Sequence, residues 1–158
     1  MPLRMFLKID GIEGESNAQG HVNEIDILSF TWAAANAAGS AGAGAGAGKV
    51  TFENATMTKA VDRASPPLFH ALATGQHIKQ CILTVEEDRK PAQLTSITFT
   101  NFLIASITEA FATSADVPQE TIVISFAQFQ ISYTPQKTDG SADTPITAGW
   151  NLATNAPN

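Results

Sequence analysis

Alternation of apolar and polar positions with a period of two, the mark of a half-buried strand, recurs along this chain. Residues 3–10 (LRMFLKID) predict a first short strand, ended by the glycine-containing stretch GIEGES. Residues 22–32 (VNEIDILSFTW) predict a second, after which glycine and alanine take over. In 49–59 (KVTFENATMTK), Val50, Phe52 and Ala55–Met57 alternate imperfectly, which predicts a strand with an irregularity. Residues 77–86 (HIKQCILTVE) put Cys81, Leu83 and Val85 on one face. EEDRKP at 86–91 reads as a charged turn, because Pro91 cannot join a ladder from mid-strand. A long strand region over 94–112 sets Ile97 and Phe99 against threonines. In 121–133 (TIVISFAQFQISY), Ile122, Ile124 and Phe126 share one face, whereas Phe129, Ile131 and Tyr133 share the other. A slip of one residue reverses every side chain. A bulge, or a bend where the strand leaves one sheet for another, is therefore expected there. QKTDGSADTP is a loop signal before the last short segment, ITAGWNLATN.

One stretch breaks this period. ASPPLFHALATG predicts a helix over about 66–74, with Ser65 as N-cap, Pro66 at the first helical position and Gly75 just past the end. Leu68 and Leu72, with Phe69 beside them, give it one stripe to bury. Such a helix plugs an end or flank and does not form a layer. Many strands with one short helix predict a mainly β fold, a compact β-barrel or two-sheet sandwich, with an extended Gly/Ala loop over about 33–48.

Composition narrows the function classes. A chain of 158 residues, 44% of them hydrophobic, suits one domain spanning 1–158 with a real core. Nine basic against fifteen acidic residues, with no run of Lys or Arg, leave no stripe for nucleic acid. The N-terminal MPLRMFLKIDG is too short for a signal-peptide apolar region, and no stretch approaches the roughly 18 apolar residues of a membrane helix. Synthesis in the cytosol without membrane insertion is expected, any exit from the cell being by another route. Cys81 is the one cysteine, and its neighbours predict a buried structural thiol.

Candidate chemistry is sparse. AAANAAGSAGAGAGAGK at 33–49 first suggests a linker, a silk-like segment or a phosphate loop. A Walker-type loop needs glycine at position 43 and Ser or Thr after the lysine, where this chain has Ala43 and Val50. A GxGxxG register through Gly42 and Gly44 fails at Ala47, and a strand follows Lys49 where an anion-holding helix N-terminus would be needed. His21, His70 and His77 have no partner at metal-ligand spacing. The acidic pairs Glu13/Glu15 and Glu24/Asp26 and the trio Glu86-Glu87-Asp88 read as solvated faces and turns, and DGSAD lacks the spacing of a calcium loop. No catalytic set, metal site or cofactor site emerges.

The order of segments carries a further signal. FLKIDGIEGES, EIDILSFTW, a glycine-rich stretch ending GKV, TKAVDRASPPL before the helix, SFAQFQISYTPQKTDGS and GWNLATN together resemble the Hcp family of bacterial type VI secretion tube proteins over essentially the whole chain. The resemblance implies a barrel-like fold, homohexameric rings stacking into a hollow tube, a contractile sheath, a trimeric spike protein and effector proteins as partners. It also implies a protein found in the cytoplasm and then outside the cell. On this reading Gly39, Ser40, Gly42, Gly44, Gly46, Gly48 and Lys49 form the ring-stacking contact, since small residues permit close backbone approach. Thr95, Thr98, Thr100, Ser106 and Thr108 are candidates for a polar lumen lining. The alternative is a monomeric β-barrel that binds a small ligand, with the Gly/Ala stretch as a lid.

Overall fold

Strands form where the alternation sends apolar side chains toward a common interior. The computed structural model describes residues 2–36 and 49–158. β1 (Leu3–Ile9) turns Met5, Leu7 and Ile9 inward, and β2 (Ile25–Ile27) buries both isoleucines around Asp26. β3 (Ser29–Thr31) is followed by β4 (Ala34–Asn36) and β5 (Val50–Phe52), which pair with each other as a separate two-stranded ribbon. β6 (Ala55–Ala60), helix α1 (Ser65–Thr74), β7 (Ile78–Glu87), β8 (Leu94–Ala110), β9 (Gln119–Thr134) and β10 (Ile146–Asn151) complete the described elements.

The main sheet is antiparallel, in the order β2-β1-β7-β8-β9-β6-β3, with β10 also on β9. Its two end strands, β2 and β3, are consecutive in the chain with only Leu28 between them. The Leu28 N–H donates to the Thr58 carbonyl, so the sheet curls back on itself into a nearly closed barrel. Here the structure corrects the expectation of one strand over 22–32. The chain exchanges β1 for β6 as its partner at Leu28, and that exchange cuts the strand in two. The irregularity expected within 49–59 is the step at Glu53 and Asn54, where the chain leaves the ribbon and enters the barrel.

The phase reversal expected in 121–133 is real and is shared by two strands. Ile122, Ile124 and Phe126 are buried, yet Phe129 and Ile131 also pack on the core. On β8, Ile97 and Phe99 are followed inward by Phe102 and Ile104, in register as Phe99↔Phe129 and Phe102↔Phe126. Both strands change phase together at Asn101, whose φ of 51° is the left-handed conformation that asparagine tolerates. The neighbouring Ala127 carbonyl accepts from the Leu152 N–H. A separate register shift lies between Ile104 and Ser106 on β8. The strand therefore bends within one curled sheet and does not cross to a second.

Helix α1 starts one residue earlier than expected, and Ser65 is not its cap. Ala64 holds that position and its methyl group can make no capping bond, while the Ser65 hydroxyl is engaged with Asp62 and Glu120. Pro66 and Pro67 occupy the first turn, where missing N–H groups cost nothing. Gly75, at φ 65°, ends the helix: its N–H donates to the Leu72 carbonyl and that of Gln76 to the Ala71 carbonyl. Leu68 and Ala71 are buried, with Leu72 half-buried, while Phe69 points outward. Cys81 lies fully inside, paired in register with Phe99, and burial pushes its thiol pKa far up.

Candidate assembly surface

The root of the Gly/Ala arm is an aromatic cluster that sequence reading did not single out. Trp32 precedes the ribbon and stacks on Phe52, at 6.0 Å between ring centroids. It meets Phe99, Phe126 and Phe129 edge-on at 5.4, 5.6 and 4.8 Å. Its indole N–H donates to the Glu53 carbonyl at 3.0 Å, so the polar end of the ring is satisfied. Each aromatic pair of this kind adds roughly 0.5–1.5 kcal/mol beyond area burial. The ribbon itself runs outward from this anchor through the exposed Ala34–Asn36, paired to Val50–Phe52. Gly39, Ser40, Gly42, Gly44, Gly46 and Gly48 lie outside the described residues; Lys49 is described and is exposed.

The five hydroxyl residues proposed for β8 do not share a face. Thr98 and Thr100 alternate with the buried Ile97 and Phe99 and so face away from the core. Ser106 and Thr108, beyond the phase change, face the same way around the half-buried Ile107. Thr95 has the parity of Ile97 and Phe99 and sits between Val85 and Tyr133 on the inner side, near the barrel end. Across the outer face, Thr98 and Thr100 meet Gln130 and Gln128 on β9, and Thr108 meets Thr121. This strip carries hydroxyls and amides without a formal charge.

Two charged clusters were not anticipated. Lys59 and Glu120 are fully buried and face each other in the β6–β9 register. Lys59 Nζ lies 2.5 Å from Glu120 Oε1 and 2.8 Å from Asp62 Oδ1. It also donates to Ser65 Oγ at 3.1 Å and the Ala60 carbonyl at 2.9 Å. Burial opposes ionisation of Glu120, but hydrogen bonds from Glu109, Lys59 and Ser65 outweigh it and lower its pKa. A signal was available: Lys59 has the inward parity of Ala55 and Met57, and Glu120 that of Ile122 and Ile124.

The second cluster gathers residues that were read separately. His21 stacks on Phe6 at 4.2 Å and places Nδ1 3.0 Å from Glu24 Oε1 and Nε2 2.6 Å from Glu86 Oε1. A carboxylate at each ring nitrogen favours the protonated imidazole, the one form that donates from both. Burial works against that charge, but the bonds to Glu86 and Glu24 prevail and raise the pKa. Arg4 adds a contact to Glu86 at 3.0 Å and one to Asp88 at 3.1 Å. The pair fastens the segment before β2 across the outer side of β1. His70 and His77 are exposed, the latter 3.2 Å from Asn101 Oδ1.

The barrel interior is packed by Phe99, Phe102, Leu83, Ile25 and Met57. A surface concavity of about 930 Å³ lies outside it, lined by Lys8, Asp10, Glu13, Glu24 and Arg63. None of the described helices is long and apolar enough to cross a membrane.

Comparison with known proteins agrees with this architecture. The family described as "Type VI secretion system effector, Hcp" matches residues 6–133. Protein hcp1 of Pseudomonas aeruginosa is 34% identical, with 98% of each chain covered. A solved structure of a type six secretion system protein superposes with a TM-score of 0.90 at 30% identity, over 99% of this chain and 100% of the other. Hcp1 from Salmonella typhimurium gives 0.83 at 33% identity, with both chains fully covered.

Proposed function

The chain belongs to the Hcp family of type VI secretion system proteins, and from that premise we propose that it is the repeating subunit of the system's inner tube, residues 1–158 acting as one domain. Six copies close into a ring and rings stack into a hollow tube. A trimeric spike protein caps the tube, and a contractile sheath drives it out of the cell with effector proteins in its lumen. The observation that carries this reading is the aromatic-rooted ribbon, a separate two-stranded sheet that leads into a stretch of Gly and Ala. That stretch has no large side chain with which to fasten itself to its own barrel. Ordering it costs roughly 1–2 kcal/mol per residue, which contact with a neighbouring ring would offset. Gly39 to Gly48 and Lys49 are the stacking contact in this account. Thr98, Thr100, Ser106 and Thr108 line the lumen, and Thr95 leaves the set.

Light scattering and negative-stain microscopy of the full chain test the reading together with a variant lacking residues 41–46. Six-fold particles are expected for both, with stacking impaired only in the variant. A stable monomer at all concentrations would refute the tube subunit. Unchanged tube length in the variant would refute the arm as stacking contact.

A further inference from the structure

The buried pair at the β6–β9 seam contains one atom that no cation reaches. Glu120 Oε1 takes both Lys59 Nζ and Ser65 Oγ, each at 2.5 Å. Glu120 Oε2 is equally buried and has no donor among the other described groups. Directly opposite it in the β8–β9 ladder stands Glu109, whose carboxyl meets that of Glu120. Two ionised carboxylates cannot hydrogen-bond to each other, because neither has a proton to donate. A single proton on the exposed Glu109 would complete that buried oxygen.

We propose that Glu109 carries that proton in the folded protein, donates it to Glu120 Oε2, and so acts as a pH-sensitive lock at the base of the β8–β9 hairpin. The proton resides on Glu109 because Glu120 already faces the Lys59 ammonium and the Ser65 hydroxyl, both of which favour its charge. The charged groups around the pair are Lys59 from β6 and Asp62 from the turn before α1. At this height β8 has no β7 partner, as the β7–β8 pairing ends at Phe102. The bond to Glu120, then burial, then the Glu120 charge raise the Glu109 pKa to about 7, with Lys59 opposing. One residue pair further on, Ala110↔Gln119 closes the ladder and the hairpin tip begins. The tip exposes Phe111 and Val117. Its Pro118 carbonyl accepts from the Val61 N–H, which ties it to the end of β6.

The direction follows from linkage. A carboxyl with a raised folded-state pKa binds its proton better when the hairpin is closed than when it is open. Its contribution is complete below the ordinary value of 4.5 and is lost as pH rises to about 7, with no further change above.

The test is a site-resolved carboxyl carbon NMR titration of the full-length protein, with hydrogen exchange of residues 111–118 corrected for intrinsic rates. Glu109 is expected to titrate near neutrality, and tip exchange to rise roughly tenfold to fiftyfold between pH 5 and 7.5. Glu109→Gln keeps a donor but cannot ionise, so its exchange should stay level across that range. A Glu109 midpoint in the ordinary glutamate range would overturn the proposal. So would wild-type exchange that ignores pH, or a Glu109→Gln profile that follows wild type. These outcomes do not depend on ring stacking, so failure here is separable from failure of the tube reading.

Discussion

The two ends of this barrel are held by opposite physics. At the ribbon root, Trp32, Phe52, Phe99, Phe126 and Phe129 interlock through dispersion and ring-edge contacts. At the hairpin base, Lys59, Glu120, Ser65 and Asp62 interlock through charge and hydrogen bonds. The first kind of contact is tolerant: its energy is spread over many atoms and ignores pH. The second is unforgiving, since removal of one member leaves the others buried and unpaired. A subunit with an aromatic anchor under one projecting element and an ionic seam under another can respond to pH at the seam without disturbing the anchor.

That contrast is open to attack. Lys59→Met strands Glu120 without its cation and should cost about 3–5 kcal/mol in chemical denaturation, while Lys59→Met with Glu120→Leu should recover most of the loss. Recovery by the double variant separates a stranded charge from lost packing. Trp32→Ala should cost about 3 kcal/mol, with the same loss at pH 5 and pH 8. A pH-dependent loss would mean that the aromatic root is coupled to the ionic seam. The His21 clasp should have the smallest effect, about 1 kcal/mol or less, because it is partly solvated. Its raised pKa means the contribution is complete below the ordinary value of 6.5 and fades as pH rises through the higher folded-state value. His21→Ala should therefore destabilise at pH 6 and approach neutrality at pH 8.5, as read from paired denaturation curves.

What could be read from the sequence follows the range of the interaction that decides each feature. Pro66 and Gly75 bracket α1 because the missing N–H and the left-handed turn are properties of single residues. The inward faces of β7 and of the first part of β8, through Phe99, followed from alternation alone. The division of 22–32 at Leu28 did not, since it depends on β1 and β6 standing on either side of one residue. Ser65 looked like a cap because capping is local, yet its hydroxyl answers to Glu120, which is 55 residues away in the chain. Lys59 and Glu120 were hidden for a related reason: a charge within a strand is assumed to face water until the register supplies a partner. His21, Glu24 and Glu86 were each noticed, but only the fold brings them together. For the candidate site, the β8 hydroxyls stood out as a run in the sequence, but their faces depend on the phase change at Asn101, which leaves Thr95 on the inner side and the other four on the outer. Of the Gly/Ala stretch, where the sequence was most distinctive, residues 37–48 lie outside the described residues.

Cys81 has a practical consequence. Its sulfur is sealed behind the β7–β8 ladder, and burial suppresses the thiolate through which alkylation and disulfide exchange proceed. A subunit passing between reducing and oxidising surroundings would keep the same covalent state, with no cross-link to a neighbour. The same concealment makes the side chain a built-in clock: since no other cysteine competes, the rate at which a thiol reagent marks the protein would time the opening of its barrel.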